Sequence, residues 1–100
     1  LATTDLNTLA FEQKDGSITI DATLANNLIK LPGWASEFYI YLASATAGTF
    51  TLTDPSGSGQ PFAGETWTRV WRAQGNNPNQ NRYVWVASGS GSVTLSYLLY

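Results

Sequence analysis

Hydrophobic positions recur at every second residue along most of this chain, in runs rich in β-branched and aromatic side chains. "TLAFEQ" (8–13) and "SITI" (17–20) flank "KDGS", whose Asp15-Gly16 pair suits the positive φ of a type I′ hairpin turn. "LIKL" (28–31) follows and stops at Pro32-Gly33. "EFYIYLA" (37–43) is the strongest strand signal, and "GTFTLTD" (48–54) alternates cleanly, with Phe50 and Leu52 on one face and threonines on the other. "DPSGSGQP" (54–61) is a turn-rich loop and "TWTRVWRA" (66–73) the next strand. A polar loop, "GNNPNQN" (75–81), leads to "RYVWVAS" (82–88), and a "GSG" turn leads to the closing "SVTLSYLLY" (92–100). No 3.6-residue period is sustained; "TLANN" (23–27) has room for one helical turn. The pattern predicts an all-β fold: an antiparallel, jelly-roll-like β-sandwich or a small barrel of seven to eight strands. Residues 1–8 read as an N-terminal arm and residues 9–100 as a single sandwich domain. Its expected core is Ile18, Ile20, Ile29, Ile40, Leu42, Phe50, Leu52, Val70, Val84, Val86, Val93 and Leu95.

Strict alternation also sorts the aromatic residues. In "TWTRVW", Trp67, Arg69 and Trp71 share one face, and Val70 lies on the other. Tyr83 and Trp85 oppose Val84 and Val86, while Tyr39 and Tyr41 oppose Phe38, Ile40 and Leu42. Two of these strands are therefore apolar on both faces, whereas the outer face of a sandwich is normally polar. Three readings account for the surplus apolar surface: a ligand stacked on the rings, a neighbouring protein, or amphipathic rings whose hydroxyls and indole edges simply reach the surface. The residue types favour the protein: interface cores are enriched in aromatics and Arg and depleted in Lys. Trp67, Arg69, Trp71, Tyr83, Trp85, Tyr39 and Tyr41 are thus the candidate contact residues. A sugar platform needs hydrogen-bonding neighbours as well, and Asn76, Asn77, Asn79 and Gln80 are available for that role.

Composition narrows the chemistry. One hundred residues suit one domain, and the chain has neither cysteine nor histidine. That removes disulfides, thiolate sites, a cysteine nucleophile and the usual zinc ligand and general base. No two of the seven acids, Asp5, Glu12, Asp15, Asp21, Glu37, Asp54 and Glu65, sit in a catalytic motif, and several fall beside turns. No phosphate loop, dinucleotide fingerprint, EF-hand or nucleophile elbow is present. The expectation is a non-enzyme with no cofactor and no metal. Five cations against seven acids leave no basic footprint for nucleic acid, and no apolar run is long enough to span a bilayer as a helix. The chain begins at Leu1, lacks methionine and shows no signal-peptide pattern, so its start reads as trimmed, processed or incomplete.

The stretches "EFYIYLASATAGTFTLTDPSGSG", "ETWTRVW" and "RYVWVASGSGSVTLSYLLY" are similar to the small β-sandwich modules of tailed-phage virions. Such modules occur as head decoration (cement) proteins and in tails and fibres. The shared elements are a turn, Thr-rich strand, turn and W-x-x-V run, a late Y-V-x-V strand, and a closing "GSGSVTLSYL" strand. The resemblance covers residues 37–100 and carries no catalytic residues. It implies a structural protein of the virion surface, outside the cell, that binds the major capsid protein or other virion subunits and assembles as a dimer or trimer. The leading expectation is therefore a decoration protein that stabilises a capsid shell. The alternative is a carbohydrate-binding module, at a fibre tip or appended to a secreted hydrolase. A pilus or surface-layer subunit exchanging its C-terminal "SYLLY" strand is a third reading.

Overall fold

A computed structural model describes residues 2–6, 14–57, 59–75, 80–89 and 91–100. Nine strands lie among them: β1 (Ala2–Asp5), β2 (Asp15–Ile20), β3 (Asn27–Lys30), β4 (Glu37–Leu42), β5 (Gly48–Thr51), β6 (Gln60–Phe62), β7 (Thr68–Arg72), β8 (Tyr83–Ala87) and β9 (Val93–Leu99). They form two sheets, ordered β2-β9-β4-β7 and β1-β3-β8-β5-β6. In the first, C-terminal β9 lies between β2 and β4; in the second, β8 lies between β3 and β5. Interleaving early and late strands across two sheets is the jelly-roll arrangement, and the sandwich reading holds over the barrel. The exception to antiparallel pairing is β1, which adds to β3 in parallel as an edge strand within the chain's own sheet.

Inward positions of both sheets meet in one core. Phe38, Ile40 and Leu42 of β4 face Ile29, Val84, Val86 and Phe50 across the sandwich, with Leu95 and Leu99 beside them. Ile20 and Val70 are buried as expected. Ile18 and Val93 pack only partly, at the margin where β2 is an edge strand. Leu52 departs from expectation and stands 38% exposed. The reason is local: β5 stops at Thr51, the Thr53 N–H turns back to Thr51 Oγ1, and Asp54 then opens a turn by accepting from the Ser56 N–H. The "TLANN" segment does hold one helical turn, the 3₁₀ turn Leu24–Asn26. The predicted strand 8–13 falls outside the described residues.

The Asp15-Gly16 pair is not a hairpin turn. Both residues lie in β2, opposite Leu98 and Tyr97 of β9. Gly16 is required by close packing: a Cβ there would sit 2.6 Å from Tyr97 Oη. A Gly chosen for proximity and a Gly chosen for positive φ look alike in a sequence.

The connections at the β3 end are tied down by side chains. Asn27 is buried and its amide donates to the carbonyls of Asp21 and Thr23 and to Asp21 Oδ1. The Asp21 carboxylate accepts from the Thr23 N–H at 2.9 Å, and this bond, followed by those from Asn27 and Asn26, lowers its pKa against a smaller opposing effect of burial.

Candidate functional site

One irregularity decides which aromatic residues face outward. Along the β4–β7 pair, Phe38 opposes Trp71 and Tyr39 opposes Arg69, which leaves Val70 as an extra residue on β7. Such a bulge breaks the alternation, so two successive side chains, Val70 and Trp71, both turn inward. The expectation that Trp67, Arg69 and Trp71 share a face is corrected here. Trp67 and Arg69 do lie on the outer face, but Trp71 is only 3% exposed and belongs to the core. Its indole N–H donates to the Asn81 carbonyl at 3.0 Å, and the Arg82 guanidinium lies 5.3 Å from the centre of its ring. Arg82 in turn donates to the Ala35 carbonyl at 2.9 Å, fastening the β3–β4 loop over this end of the sandwich.

The remaining candidates fall on two opposite surfaces, across a molecule whose shortest dimension is 22 Å. On the outer face of the four-stranded sheet stand Tyr39 and Tyr41 of β4, with Arg69 opposite Tyr39. Trp67 lies 5.2 Å from Tyr41, with the rings inclined at 38°. Leu98 and Ser96 are the β9 partners of Tyr39 and Tyr41. Tyr100, which pattern reading did not single out, packs edge-on against Tyr39 at 5.6 Å. Arg69 Nη1 and Glu37 Oε2 pair at 2.9 Å within this group. Glu37, Tyr39, Trp67, Leu98 and Tyr100 line a shallow depression of about 420 Å³.

The backbone before β7 aims Trp67 onto Tyr41. The Glu65 N–H donates to the Leu42 carbonyl at 2.9 Å, at the end of β4. Gly64 passes so close to the Ser44 carbonyl that a Cβ would lie 1.8 Å from it, and Glu65 takes a left-handed φ of 57°. A non-glycine residue in that region costs roughly 1–2 kcal/mol, which the surrounding contacts offset.

On the outer face of the five-stranded sheet, Leu28 and Thr51 flank Trp85 in register, and Tyr83 packs edge-on against Trp85 at 4.8 Å. Leu28, Tyr83 and Trp85 are all half-buried. Asp5 and Lys30, register partners across β1 and β3, sit at the margin beside Tyr83.

Of the amides expected to serve a sugar, Gln80 is committed elsewhere. Its Oε1 accepts from the Gln74 N–H and its Nε2 donates to the Arg72 carbonyl, both at 2.7 Å, closing the end of β7. Asn76, Asn77 and Asn79 lie outside the described residues. Strand exchange through "SYLLY" gains no support, because β9 is a central strand paired on both sides. The chain matches no protein-family model, no curated protein and no solved structure.

Proposed function

We propose that this chain is a non-enzymatic structural protein of a virion surface, a decoration or cement protein that stabilises a shell by binding the major capsid protein. The carrying observation is the outward Leu28–Trp85–Tyr83 cluster on the five-stranded sheet. Its apolar centre, with Asp5, Lys30 and threonines at the rim, has the anatomy of a protein interface. Trp and Tyr already held edge-on also lose little rotamer freedom when covered. The jelly roll supports this by analogy of fold alone, since capsid and lectin domains share it. So does the resemblance of residues 37–100 to virion modules.

Two of the four sheet edges among the described residues resist strand addition. Edge strand β6 carries Pro61, which cannot donate to an added strand, and edge strand β7 carries a bulge and two arginines. Co-sedimentation with purified shells of the virion that carries the chain tests the reading. The intact chain should bind, and Trp85→Ala should lose at least tenfold in affinity. No binding by the intact chain, or full binding by Trp85→Ala, would reject this assignment. Self-association into a dimer or trimer belongs to the same proposal and is read from mass in dilute solution.

A further inference from the structure

We infer that the opposite face, on the four-stranded sheet, is a carbohydrate site for a neutral, linear pyranose chain. The two faces differ in kind. On the five-stranded sheet the charges lie at the rim, whereas here Glu37 lines the depression itself and pairs with Arg69 on the neighbouring edge strand β7. Covering that pair with a protein surface would strip water from two charges, a costly step unless every lost hydrogen bond is replaced. A sugar replaces them. Its ring presents a C–H face that lies against an aromatic ring, and its edge carries hydroxyls that both donate and accept.

The residues match both halves of such a ligand. Trp67 and Tyr100 are 44% and 51% exposed, the largest exposed apolar groups among the described residues together with Leu52. Trp67 with Tyr41, and Tyr39 with Tyr100, make two ring pairs served by positions two residues apart on β4, about 7 Å along the strand. Two adjacent platforms suit a linear glycan better than an isolated ring. Each charged partner uses one atom on the other, so Glu37 Oε1 and further Arg69 N–H groups have no partner among the described residues. They offer an acceptor and a planar set of donors at the same margin, the pairing that reads neighbouring hydroxyls. Because the pair is neutral as a unit, it favours an uncharged glycan over an acidic one. The depression, about 420 Å³, falls within the roughly 300–1,000 Å³ of small-ligand sites. Beyond Tyr41, the hydroxyls of Ser96, Ser17, Thr94 and Thr19 continue the same outer face as a polar track.

The test is titration of the intact chain with cellohexaose and with chitohexaose, followed by tryptophan fluorescence and calorimetry. Saturable binding of at least one is expected, weakened at least fivefold by Trp67→Ala and at least twofold by both Glu37→Gln and Arg69→Gln. Trp67→Phe should retain binding within fivefold, and Trp85→Ala should leave it unchanged. The exposed position of Trp67 makes its variants safe to fold, which a cooperative thermal transition, lowered by no more than about 4–8 °C, verifies. Absence of saturable binding to both glycans overturns the inference, as does a loss under fivefold in Trp67→Ala or an equal loss in Trp85→Ala. Shell binding is read separately, since Trp85→Ala impairs it and Trp67→Ala does not, so either proposal fails without the other.

Discussion

Replacing Trp71 by Ala and, separately, Trp67 by Ala should give very different stabilities, although the two residues look equivalent in the sequence. Trp71 is 3% exposed. A buried tryptophan removes roughly 150–250 Å² from water, which at about 25 cal/mol per Å² is on the order of 4–6 kcal/mol. Retaining Cβ and partial collapse of the site reduce this, while the orphaned Asn81 carbonyl and the lost Arg82 contact add to it. Measured truncations of this kind cost about 3–5 kcal/mol. That is a large share of a domain stability of roughly 5–15 kcal/mol. Trp67, 44% exposed and resting on Tyr41, should cost about 1 kcal/mol. Urea unfolding followed by circular dichroism measures both, with midpoints compared at equal slope. Costs within 1 kcal/mol of each other would refute the bulge at Val70 and restore strict alternation.

Three further outcomes follow from the same packing. Asp15→Thr should be neutral or slightly stabilising in urea unfolding, because a β-branched residue suits strand β2; a loss above 1 kcal/mol would mark a turn with positive φ instead. Asn27→Ala should cost about 1–3 kcal/mol by the same assay, since it leaves the Asp21 and Thr23 carbonyls short of a buried donor. The Asp21 pKa is lowered on folding, so its stabilisation is complete above the unfolded value of about 3.9 and disappears as pH falls through the folded value. The stability gap between the intact chain and Asp21→Ala should therefore be open at pH 7 and narrow at pH 3; a gap that widens in acid contradicts the hydrogen-bonding scheme.

Periodicity reads well where a strand is regular and paired on both sides. β4 follows its alternation throughout and β8 follows it as far as Val86, which is why Ile40, Leu42, Val84 and Val86 are in the core and Tyr39, Tyr41, Tyr83 and Trp85 are not. Alternation fails at Val70, because a bulge depends on the partner strand and leaves no local mark in "TRVW". β6 was hidden inside a Gly- and Pro-rich stretch, three residues long and stabilised by pairing with β5. β1 was hidden by its polarity; a parallel edge strand needs one neighbour, and "ATTD" finds it in β3.

The candidate site was legible as a set of residue types but not as a place. Sequence supplies the aromatic and arginine inventory, yet only the register of β9 brings Leu98 and Tyr100 beside Tyr39. Their outward alternation with Tyr97 and Leu99 is visible in "SYLLY"; the strand they would neighbour is not. Glu37 was grouped with structural acids because its partner, Arg69, is 32 positions away.

Hydroxyl-radical footprinting with mass spectrometry, on the free chain and on the assembled virion surface, tests the central claim most directly. The account predicts that in the free chain Trp67, Tyr39 and Tyr100 are modified readily while Trp71 and Phe38 are protected. On assembly Tyr83 and Trp85 should become protected and Trp67 should stay reactive. Equal reactivity of Trp71 and Trp67, or unchanged reactivity of Tyr83 and Trp85 on assembly, would contradict it.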